Sequence, residues 1–212
     1  MIEHVQPGDI ESRSFEIIAA ELAAKGIALD PEQDLIIRRA IHTSADFDYA
    51  ETLEFSADAV GIARELIRNG ADIVTDTNMA LTGINKKRLA EYGGSVRCYM
   101  ADPDVAAEAR ERGVTRASVS MEHAAADITA NGRKTIFAIG NAPTALITLR
   151  DMYDEGIFIP DFIIGVPVGF VNVVEAKELI LETDIPHIVN RGRKGGSNVA
   201  AAIVNALMYV MK

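Results

Sequence analysis

In the stretch RRAIHTSADFDY, Arg38 to Tyr49, one histidine stands between an apolar helical pattern and a run of hydroxyls and carboxylates. An imidazole can act as a general acid or base near neutral pH, so His42 is a candidate for proton chemistry. Thr43, Ser44, Asp46 and Asp48 are residue types that orient such a ring, fix its tautomer or hold it protonated. A histidine at a helix end also has a structural explanation, as a cation near the C-terminal dipole or a ring with a satisfied hydrogen bond. His4, His123 and His187 have no companions in sequence and read as structural or solvent-exposed.

A second constellation is RGRKGGSN, Arg191 to Asn198, where cations and a Gly-Gly pair open an apolar helix. Gly195 and Gly196 let backbone approach a ligand, and the helix N-terminus that follows, with Ser197 beside it, offers free N–H groups. Arg193 and Lys194 add charge suited to phosphate or carboxylate. A tight turn with solvated basic residues is the alternative. In GNAPTAL, Pro143 suits a first helical turn, and Asn141 either caps that helix or meets a ligand. In GVPVGFVNVVEAKE, Gly165, Pro167 and Gly169 interrupt an apolar run, consistent with a bulky apolar ligand or with a tight loop. Arg116, in VTRASVSMEHA, sits beside the start of an apolar-periodic segment, where the helix dipole does not favour a cation. It therefore calls for a carboxylate partner, on the protein or on a ligand.

The elements that must position these residues follow from periodicity. Phe15, Ile18, Ala19 and Leu22 recur at helical spacing up to Gly26. A second helix is expected from DPEQ, with Asp30 as cap and Pro31 in the first turn, and with Ile36, Ile37, Ala40 and Ile41 on its apolar face. That places His42 near its C-terminal end. A third helix runs through SADAVGIARELIRNG. From Ala71 onward, short apolar strands (ADIVTDT, SVRCYM, KTIFAIG, DFIIGVPVG, PHIVNRG) alternate with helical segments. This predicts an α/β fold: a doubly wound, mainly parallel sheet with helices on both faces and a helical N-terminal segment, forming one domain over residues 1–212. Ligands bind such sheets beyond the carboxyl ends of the strands, which is where the Gly-, Asn- and Pro-rich loops fall.

Composition narrows the function. A net charge of -10 over 212 residues argues against a nucleic-acid surface. Neither a Walker loop nor a G-x-G-x-x-G follows any strand, so the nucleotide fingerprints are missing. No Cys/His cluster suggests a metal site, and no G-x-S-x-G supports a hydrolase. The single Cys98 rules out an internal disulfide and fits a reducing, cytoplasmic setting. MIEHVQPGDIESRSF lacks the apolar core of a signal peptide, and the uncharged run from Gly195 to Met211 reads as a buried helix rather than a membrane span.

Taken in order, RSFEII, IHTSADFDYAETLEF, VTDTNMALTGI, TRASVSM, AIGNAPTAL, GVPVGFVNVVEAKE and RGRKGGSNVAAAIVNAL resemble the precorrin-8X methylmutase family of cobalamin biosynthesis over nearly the whole chain. The resemblance implies methyl migration from carbon 11 to carbon 12 of a corrin precursor, by a homodimer that binds its polycarboxylate substrate between subunits. It implies His42 as the catalytic general acid, with Ser14, Asn85 and Arg116 at positions near the ligand. It implies no cofactor, since any cobalt arrives with the substrate. HTSADFDYAE is closer in wording to the cobalt-dependent branch than to the metal-free one. Two other classes remain open at this point: a non-catalytic corrinoid carrier, and a nucleotide- or sugar-phosphate-binding enzyme using RGRKGGS as its phosphate loop.

Overall fold

The computed structural model describes residues 4–209 and 211; the first three residues of the N-terminal stretch, Val210 and Lys212 lie outside it. After a 3-10 turn at Pro7–Asp9, the chain forms α1 (Ile10–Ala24), α2 (Asp34–Ser44), α3 (Tyr49–Thr52), β1 (Leu53–Phe55) and α4 (Ala59–Arg68). There follow β2 (Asp72–Thr75), α5 (Asn78–Gly83), α6 (Lys86–Glu91), β3 (Val96–Arg97), α7 (Pro103–Arg112) and α8 (Arg116–Asn131). The rest is β4 (Thr135–Ile139), α9 (Pro143–Asp154), β5 (Phe162–Gly165), α10 (Val173–Leu181), β6 (His187–Asn190) and α11 (Ser197–Tyr209).

The six strands lie in the order β1-β6-β5-β4-β2-β3, and all pairings are parallel except β1 with β6. The central strands TIFAI, FIIG and HIVN are buried throughout, as a parallel sheet covered on both faces requires. One face carries α1, α2, α4 and α11 around Ile36, Ile41, Ile164, Ile203 and Leu207. The other carries α7, α8, α9 and α10 around Val119, Met121, Phe137, Leu149 and Ile163. The doubly wound architecture and the helical N-terminal segment read from the sequence are therefore present.

Two local expectations need correction. β1 is an edge strand the sequence does not reveal, because LEF is too short to show alternation; its register is set by Leu53 opposite Asn190. Helix α2 begins at Asp34, not at Asp30. The Asp30 carboxylate accepts from the Glu32 N–H and its carbonyl from the Gln33 and Asp34 N–H groups, which makes DPEQ a turn before the helix. His42 nevertheless falls in the last turn of α2, which closes at Ala45 in the left-handed region with φ 55°.

Candidate active site

The order of strand addition reverses between the parallel neighbours β2 and β4: β3 lies to one side of this pair, while β5 and β6 lie to the other. The crevice at such a switch point is where doubly wound sheets bind ligands. Here it is filled by the protein's own carboxylate. Asp76, directly after β2 and fully buried, accepts from the N–H groups of Gly140, Asn141 and Ala142 at 2.9, 2.7 and 2.6 Å. Burial pushes its carboxyl pKa up, and the three N–H donors pull against that shift. The N–H donors at the start of α9 are thus already taken by the protein's own carboxylate and are not open to a ligand there. Asn141 does not cap α9, since Ala142 occupies that position. Its side chain is exposed instead.

The RGRKGGSN loop is fixed from several sides. Lys177 is fully buried in α10 and donates to the carbonyls of Gly192 and Lys194, both at 2.8 Å. Burial pushes its ammonium down to about 8. Asn190, also fully buried, donates to the Arg191 and Lys194 carbonyls and accepts from Thr52 Oγ1. The Gly196 N–H reaches the Val166 carbonyl, the Gly169 N–H reaches the Arg193 carbonyl, and the Ser197 hydroxyl lies 2.8 Å from that of Thr77. The loop glycines serve this internal packing. A Cβ on Gly195 would stand 2.0 Å from the Val166 carbonyl oxygen, and one on Gly140 would stand 2.7 Å from Ser197 Cα. Gly195→Ala is therefore expected to destabilise the protein by roughly 1–3 kcal/mol or more, measured by thermal or urea unfolding, because backbone must move to admit the methyl.

Of the two basic side chains in this loop, Lys194 is committed internally. Its ammonium meets Asp46 at 2.6 Å and Asp48 at 2.5 Å, which raises its own pKa and holds the Asp46 carboxyl below its ordinary value. Both carboxylates thus face Lys194 rather than His42. Neither does Ser44 orient the ring, since its Oγ donates to the Ala40 carbonyl; the Thr43 backbone carbonyl accepts from Asn198. The ion pairs and the Asn198 contact tie the end of α2 to the start of α11. Because the lysine is exposed, Lys194→Met is expected to change stability only slightly, and less as salt rises. Its effect should be non-additive with Asp46→Asn in a double-mutant cycle of unfolding free energies. Arg193 remains exposed, with its guanidinium 5.6 Å from the centre of the Phe170 ring.

The structure brings His42 and Ser14 together. They line one hollow of about 350 Å³ with Ile17, Glu21, Ala45 and Phe47, where α1 crosses the end of α2. Ser14 Oγ donates to the Ile10 carbonyl in its own helix, and the exposed imidazole stacks on Phe15. Arg116 and Asn141 line a second hollow of about 400 Å³ with Thr144, Val171 and Asn172. Arg116 is exposed and makes one long contact, 3.5 Å to the Met100 carbonyl, and no carboxylate partner among the described residues. Asn85 joins neither hollow. It caps α6 through the Arg88 N–H, and its own N–H donates to Asn205, about 12 Å along α11 from Ser197. A larger hollow of about 750 Å³ between α8 and α9 holds none of these residues. His187 is buried against the Ile185 carbonyl, and His123 pairs with Glu108, so neither belongs to the site.

Asp76 and Lys177 are the residues that sequence reasoning missed. Lys177 shares the buried face of α10 with Val173, Ala176 and Ile180 at helical spacing, which is the signal that could have found it. Asp76 immediately follows an apolar strand at the switch point, but nothing in VTDTN distinguishes it from a turn residue. Among the described residues no group of three or more His, Cys, Asp and Glu side chains could hold a metal ion. No helix there is long and apolar enough to cross a membrane.

Cross-braced loops over the carboxyl edge of a doubly wound sheet, with an exposed imidazole and guanidinium groups without protein counter-ions among the described residues, are the arrangement of an α/β protein that binds its ligand at that edge. The chain belongs to the precorrin-8X methylmutase family, whose model matches residues 9–210. It is 44% identical over 210 residues to the cobalt-precorrin-8 methylmutase of Salmonella typhimurium strain LT2, covering 98% of this chain and 97% of the relative. It is 38% identical to the precorrin-8X methylmutase of Pseudomonas aeruginosa, covering 98% of each. The crystal structure of precorrin-8X methylmutase from Thermus thermophilus superimposes with a TM-score of 0.82 at 37% identity, covering 94% of this chain and 96% of that one. The chain is accordingly a methyl-shifting isomerase of cobalamin biosynthesis, which answers the carrier reading.

Proposed function

We propose that the protein moves a methyl group from carbon 11 to carbon 12 of cobalt-precorrin-8, giving cobyrinate, with His42 as general acid. The metal-free counterpart, precorrin-8X to hydrogenobyrinate, is the same bond exchange on the other substrate. The carbon 11–methyl bond breaks as the carbon 12–methyl bond forms, so no electrons leave the molecule and no co-reactant is consumed. No protein-bound cofactor is required, and cobalt belongs to the substrate. The observation that carries the assignment is His42 itself: exposed at the rim of a preformed hollow with Ser14, its ring nitrogens have no protein hydrogen-bond partner among the described residues. The ring is thus available to protonate or hydrogen-bond to the macrocycle.

Arg116, Arg193 and Asn141 are the groups we assign to the substrate's peripheral carboxylates, since all three are exposed at the carboxyl edge. Lys194, Gly195, Gly196 and Ser197 act by holding the loop in place, together with Gly169 through its bond to Arg193. Asn85 caps α6 and lies outside both hollows of this subunit. Two hollows of about 350 and 400 Å³ are each small for a macrocycle, which supports a homodimer in which a second copy completes the site. The preference for cobalt-precorrin-8 rests on the HTSADFDYAE segment and on the 44% and 43% identity to two relatives bearing that name, against 38% to the precorrin-8X methylmutase of Pseudomonas aeruginosa.

Mixing the purified protein with cobalt-precorrin-8 and, separately, precorrin-8X should produce a corrin absorption spectrum fastest with the cobalt form. Absence of a new chromophore with either would reject the activity. Faster conversion of the metal-free form would reassign the branch.

A further inference from the structure

With Asp46 and Asp48 turned to Lys194, the orientation of His42 depends on something else. Its stacking partner is the ring of Phe15, with centroids 5.4 Å apart and planes inclined by 26°. Phe15 reaches from α1 across to α2, where it touches two residues one helical turn apart, His42 and Arg39. The Arg39 guanidinium lies 4.7 Å from the Phe15 ring centre and 4.5 Å from that of Tyr209, and it pairs with Glu11. Its side chain is only 19% exposed, so the group is held on several sides. A ring fixed in this way restricts the torsions of the imidazole stacked on it, whereas a solvated histidine without hydrogen bonds would sample several rotamers.

We propose that Phe15 is the positioning residue for His42: its ring face holds the imidazole toward the hollow shared with Ser14, and Arg39, braced by Tyr209 and Glu11, holds Phe15 in turn. The inference rests on the assignment of His42 as general acid. It connects α1 and the end of α11 to the reacting group without requiring either to touch the substrate.

Phe15→Leu keeps apolar volume but removes the flat ring, and Phe15→Tyr keeps the ring. The expected result for Phe15→Leu with cobalt-precorrin-8 is a kcat on the order of 10- to 100-fold lower, with KM changed by less than about threefold. Phe15→Tyr should restore kcat to within about threefold of the parent protein. In NMR spectra of the same proteins, the His42 ring protons should lose a ring-current shift in Phe15→Leu and keep it in Phe15→Tyr. If Phe15→Leu loses that shift but keeps its kcat, or if the Leu and Tyr variants are equally impaired, the positioning role is wrong. Should Phe15→Leu fail to fold, Arg39→Lys, which keeps the charge but not the planar stack, must lower kcat and alter the His42 signals, and unchanged values overturn the proposal. His42→Ala, run in parallel, separates the two ideas. Retained turnover there removes the general-acid assignment itself, whereas loss of turnover there with full activity in Phe15→Leu removes only the role of Phe15.

Discussion

Replacing His42 by alanine is expected to lower kcat by about 10²- to 10⁴-fold, the usual worth of a positioned proton donor. Binding of the corrin precursor should remain, because Arg116, Arg193 and Asn141 lie on other elements. The substitution should leave the fold intact: the side chain is exposed and makes no hydrogen bond to the described residues, so unfolding free energy should change by less than about 0.5–1 kcal/mol. Single-turnover spectra measure the chemical step, and pigment titration measures binding. Unchanged turnover would remove proton donation by His42 from the mechanism. Parallel loss of binding and turnover would instead make it a substrate contact.

The second large effect is expected at Asp76. Truncation to alanine leaves the N–H groups of Gly140, Asn141 and Ala142 without their acceptor, and the first of these is fully buried. A buried donor left without its acceptor costs about 1–3 kcal/mol, which for a chain of this length lowers Tm by several degrees up to roughly 10 °C. Asp76→Asn keeps one acceptor oxygen but turns an amide N–H toward backbone donors, so it should fall between the two. If Asp76→Ala melts within a degree or two of the parent protein, the carboxylate is not what joins the β2 and β4 loops. The same variants should weaken substrate binding, because Asn141 and the start of α9 line the hollow with Arg116.

Much of this architecture is legible in the chain because it rests on local rules. Apolar runs such as TIFAI and FIIG, each followed by Gly, Pro or Asn and then a helical pattern, specify strand, loop and helix with little ambiguity. Their alternation implies the parallel sheet, and the sheet implies that the loops at its carboxyl edge form the site. The chemistry of His42, Arg116 and Arg193 is likewise a property of residue type and position. The three-residue β1 escaped because its identity depends on pairing with β6, more than 130 residues away, rather than on its own pattern. The start of α2 was misplaced because Asp-Pro serves as readily in a turn as in a helix cap.

The sequence by itself determined the fold class, the edge of the sheet where the Gly-, Asn- and Pro-rich loops gather, and the residue types available there for the proposed chemistry. Tertiary structure alone decided which partners those residues have. Asp46 and Asp48 are neighbours of His42 in the chain, yet they turn to Lys194, some 150 residues on. The carboxylate that takes the N–H groups at the start of α9 is Asp76, and the lysine that shapes the basic loop is buried in α10. Proximity in sequence constrains only where a side chain starts; a short, desolvated hydrogen bond or ion pair depends on where distant segments are brought together by the packing of the core.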